Sequence, residues 1–160
     1  VGVSGPFEIA EAPLSPAFVS LTTDGERFLA TWISAPFTNN AWIGARLVTR
    51  DGTLAGDPSK YLLSLGGPNK SSLRALWTGT NYLVLWKEQL HLTAVRVSRD
   101  GELLDYPPLR IGTIPSAFDA MLTAPETLAV AYTRTTTPPA PLTTDLVFRY
   151  AVVPRTRITR

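Results

Sequence analysis

The chain offers little of the usual catalytic and metal-binding chemistry. It contains one histidine, His91, and no cysteine. That rules out a His-rich metal site within one chain, zinc–thiolate sites, disulfides and cysteine nucleophiles. A Ser-His-Asp triad would have to use His91, which stands in "QLHLTAV", but no serine sits in a G-x-S-x-G elbow. His91 therefore reads as a partly exposed residue of a strand. The Asp-Gly pairs at 24, 51 and 100 each bring one carboxylate. A calcium loop needs several closely spaced oxygens, so turn geometry accounts for these pairs and no metal is expected. Gly66-Gly67 in "SLGGPNKSS" lacks both the phosphate-loop pattern and a following helix. It reads as a connector, and no cofactor is implied.

The residues left with chemistry to offer are Arg74, Asp119, Phe37, Asn39 and Trp42. Arg74 and Asp119 are opposite charges in otherwise apolar segments. They are expected either to satisfy each other or to hold a small polar ligand. One carboxylate does not make a glycosidase, which needs a second acid nearby. "SAPFTNNAW", residues 34–42, sets aromatics beside amides, a combination that suits carbohydrate or peptide recognition. Trp42 is as readily explained by packing. No catalytic residue is assigned.

These residues are positioned by a repeat. From Gly25 an aromatic follows at +3 (Phe28), apolar residues at +4 and +5, and Trp32 at +7; from Gly79 the same offsets give Tyr82, Leu83, Val84 and Trp86. A weaker copy runs from Pro125 through Leu128, Ala129, Val130 and Tyr132. "LVTRDGTL" (47–54) and "RVSRDGEL" (96–103) supply a second anchor. A unit of about 50 residues is a repeat-architecture signal. Each unit reads as four strands, with hairpins at Asp24-Gly25, Asp51-Gly52 and Asp100-Gly101 expected to be type I′. The first strands are "AFVSL" (17–21), "SLRAL" (72–76) and "AFDAM" (117–121), which aligns Val19, Arg74 and Asp119. The second strands are apolar on both faces. A two-sheet sandwich would leave one face polar, whereas a blade packed between two neighbours would not.

The segments "DGxxFLxxW … IGARLVTRDG" and "GxxYLVLW … LTAVRVSRDGELL" resemble uncharacterised bacterial repeat β-propeller proteins, over about residues 7 to 150. The resemblance implies a secreted or cell-surface module and carries no catalytic residues with it.

The expected fold is thus all-β, with three four-stranded propeller-type blades in a single domain over 1–160. The repeats cover about 17–66, 71–114 and 117–153, and residues 7–15 form an orphan outer strand. Propellers have typically four to eight blades. Three blades are therefore read as half of a six-bladed ring, completed by a homodimer or another propeller-completing chain, or as a propeller fragment. The loops between second and third strands share a face with the connectors between units, and that face is the expected binding surface. The expected function is a non-catalytic interaction scaffold outside the cytoplasm; the alternative is a lectin-like or glycan-active propeller, with a glycan or peptide ligand. Composition is consistent with a folded module, being 44% hydrophobic and 18% charged. Fifteen basic residues against 13 acidic ones give a net charge of +2, without the clustered basic face of a nucleic-acid binder. The tail "PRTRITR" reads as a solvated terminus. The chain opens on Val1 without a signal-peptide pattern, as a processed or excised chain would, and no apolar run is long enough for a membrane helix.

Overall fold

The computed structural model describes residues 5–9, 16–56, 62–67, 69–114, 116–124, 127–135 and 144–152. Every regular element among them is a β-strand. The first sheet contains β1 (Pro16–Thr23), β2 (Arg27–Ser34), β3 (Ala41–Thr49), the short β4 (Leu54–Ala55) and β5 (Leu62–Gly67). The second contains β6 (Lys70–Trp77), β7 (Tyr82–Glu88), β8 (His91–Val97) and β9 (Leu109–Thr113). The third contains β10 (Phe118–Ala124), β11 (Thr127–Thr135) and β12 (Thr144–Val152). All described pairings are antiparallel, and no closed barrel or ring forms among the described residues. The chain is all-β. Residues 5–9 form no strand, and residues 10–15 of the expected orphan strand lie outside the described residues, as do residues 136–143.

The repeat extends to the backbone. Phe18 and Ser72 both adopt positive φ, 52° and 49°, and both mark a bulge in the first strand of their sheet. They lie 72 − 18 = 54 residues apart, as Gly25 and Gly79 do. The bulges set a register that the aligned segments do not reveal. Ser20 pairs with Thr31, Arg74 with Leu85 and Asp119 with Ala131. The equivalent positions are therefore Ser20, Arg74 and Asp119, and Val19 falls one place out.

The hairpins also differ from the expected form. Type I′ needs positive φ at both central residues, but only the glycines have it: Gly25 at 91°, Gly52 at 87° and Gly101 at 88°. In the two second hairpins the glycine N–H donates to the carbonyl three residues back, Gly52 to Thr49 and Gly101 to Ser98, both at 3.0 Å. These are three-residue loops closed by a left-handed glycine. In the first hairpin the Asp24 carboxylate accepts the N–H groups of Glu26 (2.8 Å) and Arg27 (2.6 Å). The aspartate serves by its side chain and keeps its own backbone in the ordinary region.

Two cores result. Leu29, Ile33, Ile43 and Leu47 of the first sheet pack with Leu73, Ala75, Tyr82, Val84, Trp86 and Val95 of the second. Leu83, Leu85, Leu92 and Ala94, on the opposite face of that second sheet, pack with Phe118, Leu128, Val130 and Tyr132 of the third. The middle sheet is buried on both faces, which explains why β7 is apolar at every position from Tyr82 to Trp86.

Candidate functional site

The six non-glycine residues with positive φ among the described residues all lie at one end of the sheets. They are Phe18, Ala35, Phe37, Asn69, Ser72 and Gln89. This is the loop end, opposite the Asp-Gly hairpins. Three connections meet there. The Asn69 N–H donates to Thr38 O (3.0 Å) and the Gln89 N–H to Asn69 O (3.0 Å), so the β2–β3 loop, the β5–β6 connector and the β7–β8 turn are joined backbone to backbone. The Ile114 N–H adds a bond to Leu90 O at 2.7 Å. Such ties hold strained backbone in place.

They frame a cleft of about 500 Å³ lined by Phe37, Asn69, Ser71, Lys87, Gln89, Leu90 and His91. Phe37 is 66% exposed and Leu90 55% exposed, large values for apolar side chains beside a concave surface. The Phe37 ring is held edge-on to Phe18, with centroids 5.6 Å apart. Lys70, between the lining residues Asn69 and Ser71 in sequence, is fully buried, and its Nζ donates to Glu88 Oε1 at 3.1 Å. The cleft thus combines two apolar side chains with amide, hydroxyl, imidazole and ammonium groups. That suits a ligand with an apolar face and several hydrogen-bonding groups.

Of the residues that the sequence offers for ligand binding, the structure brings only Phe37 into this cleft; His91, read from the sequence as a partly exposed strand residue, also lines it. Asn39 is exposed in the same loop but does not line it. Trp42 packs edge-on against Trp32, with centroids 6.5 Å apart, on the outer face of the first sheet. Trp42 and His91 do occupy matching positions, pairing with Ser34 and Glu88, which are 88 − 34 = 54 residues apart. Asn69, Ser71, Gln89 and Leu90 carry no motif. Their only sequence signal is a place in the connector "SLGGPNKSS" or in the turn after β7, which falls at Gln89–Leu90.

Arg74 and Asp119 meet away from the cleft, on adjacent first strands. Arg74 Nε donates to Asp119 Oδ1 at 2.6 Å, and the Asp119 carboxylate also accepts the Ala120 N–H at 2.8 Å. The Arg74 bond holds the Asp119 pKa below the usual carboxylate range. In the neighbouring joint, Ser20 Oγ accepts the Ala75 N–H at 3.0 Å. The three equivalent positions thus link the first strands of successive sheets, and the two charges satisfy each other.

The hairpin end is locked by charge. Arg99 donates to Asp24 Oδ2 (2.7 Å) and pairs with Glu26 (2.9 Å), while Arg27 pairs with Asp100 (3.2 Å). Burial works to raise the Asp24 pKa, but bonds from Arg99 and from the backbone of Arg27 and Glu26 outweigh it and hold the pKa well below the usual range. Tyr82 shows the complement: burial and the nearby Asp24 carboxylate push its hydroxyl pKa up.

No group of three His, Asp or Glu side chains suited to a metal occurs among the described residues, and no helix there is long and apolar enough to cross a membrane. No family model, curated protein or solved structure matches the chain.

Proposed function

We propose that the chain is a non-catalytic interaction module built from propeller-type blades, acting outside the cytoplasm and completing its ring by association with another chain. The observation that carries this reading is the middle sheet. Its β7 is buried on both faces by two neighbouring sheets of the same strand order. A blade requires that arrangement and a two-layer sandwich does not supply it. The links between successive first strands at Ser20–Ala75 and Arg74–Asp119 fit sheets gathered about an inner edge. The extracytoplasmic assignment rests on the resemblance of the repeats to bacterial propellers.

In this reading the loop-end cleft receives the ligand. A lectin-like role is the second reading, favoured by Phe37 standing beside the amides of Asn69 and Gln89. Titrating isotope-labelled protein with neutral oligosaccharides and, separately, with short extended peptides tests both. Amide shifts confined to residues 69–71 and 87–91, and abolished by Phe37→Ala, support the cleft as the binding surface. The ligand class that produces them decides between the readings. Shifts elsewhere, or shifts indifferent to Phe37→Ala, remove the cleft.

A further inference from the structure

We propose that the two end sheets bind each other across two copies of this chain, so that the first sheet of one copy takes the third sheet of the other. The inference rests on the blade reading and names the chain that completes the ring.

Equivalent residues carry the argument. Leu73 and Ala75 on β6 are 3% and 5% exposed, because the first sheet covers them. Their counterparts on β1, 54 residues earlier, are Val19 and Leu21, which are 65% and 61% exposed. At the other end, Leu76 packs against the core shared with the third sheet, whereas its β10 counterpart Met121 is 58% exposed. On the first strands, positions that the repeat buries inside the molecule are thus open at its ends, while Ala30 and Trp32 of β2 stay 5% and 6% exposed. The two open faces are also of opposite kinds. In both existing joints, the row of the later sheet that holds Tyr82, Val84 and Trp86, or Leu128, Val130 and Tyr132, meets the alternate row of the earlier sheet. The first sheet leaves the former kind open and the third sheet leaves the latter. A third-to-first joint therefore repeats a contact that this chain already makes twice. Under a two-fold axis two such joints close, and no sheet face is left over.

Sedimentation equilibrium over a range of concentrations tests the inference. The expected mass is twice the 17.4 kDa of the chain. Leu21→Asp and Met121→Asp should each give monomer. A monomeric wild type, larger open assemblies, or a dimer indifferent to Leu21→Asp would overturn the proposal. Hydrogen exchange on the same samples separates this from the blade reading. A monomer that still protects β7 on both sides sinks the pairing of copies alone, whereas loss of β7 protection sinks the blades as well.

Discussion

Replacing Gly44 with alanine should destabilise the protein, although the change adds one methyl group to a strand. Gly44 lies directly across from Trp32 in the β2–β3 ladder. A Cβ at Gly44 would stand 2.4 Å from Trp32 Cε2 and 2.5 Å from Cζ2. Those are ring atoms, and Trp32 is only 6% exposed, so the indole has little room to move aside. Ordinary contact between carbons begins near 3.5 Å; the shortfall is about one ångström and must be met by an off-rotamer indole or a displaced strand. Overpacking of this kind costs about 1–3 kcal/mol. For a chain of this size that lowers Tm by roughly 2–4 °C per kcal/mol. Gly112 in β9 is the control, since nothing lies within 4 Å of a Cβ built there. Gly112→Ala should be neutral or stabilising by up to about 1 kcal/mol, because a strand glycine gives up more chain entropy than alanine. Urea unfolding of both variants measures the difference. Adding Trp32→Leu to Gly44→Ala should recover part of the loss, a coupling visible in a double-mutant cycle. Equal stability of the two glycine variants, or no coupling to Trp32, would refute the argument.

Asp24→Asn should cost about 1.5–3 kcal/mol at neutral pH, the range for hydrogen bonds to a charged group. Because the folded-state pKa of Asp24 is depressed, its contribution is present above the ordinary carboxylate value and fades as pH falls through and below it. Urea titrations at neutral and strongly acid pH should therefore show the Asn penalty shrinking in acid; a penalty independent of pH would contradict the ion pair with Arg99. In β7, Leu83→Ala should cost about 2–5 kcal/mol. Its neighbour Val84, buried against the opposite sheet, should also be costly to truncate. If either proves as tolerant as a surface site by chemical denaturation, the middle sheet is not covered on both sides.

Much of the fold was legible because it rests on periodicity. A strand buried on both faces must be apolar at every position, and "YLVLW" states that outright. The hairpins were located by their Asp-Gly pairs, yet their type was not. Whether an aspartate turns the chain with its backbone or with its carboxylate depends on which N–H groups lie within reach. The same limit explains the shift from Val19 to Ser20. The bulges at Phe18 and Ser72 fall on an aromatic and a hydroxyl residue that share no backbone preference, so the residues alone did not mark them. The cleft was the least legible feature. Asn69, Gln89 and Leu90 come together through backbone bonds between three connections, and such bonds leave no trace in residue type.

The contrast between the two ends of the sheets bears on where function lies. Among the described residues, each left-handed position at the hairpin end is occupied by glycine, the residue for which that conformation carries no steric cost, and ion pairs tie the first sheet to the second. At the loop end six of the described side-chain-bearing residues have positive φ, from 20° at Asn69 to 63° at Phe37. At about 1–2 kcal/mol for each one other than the asparagine, their summed strain is comparable to the entire net stability of a typical domain, about 5–15 kcal/mol. Glycine at any of them would relieve that strain, so stability alone does not account for the residues found there. Phe37 and Gln89 have positive φ and also line the cleft, so their identity is better explained by the surface they form than by the backbone they occupy. Changing each to glycine separates the two roles: stability should hold or rise while the cleft loses its ligand, and a fall in stability would return both residues to the scaffold.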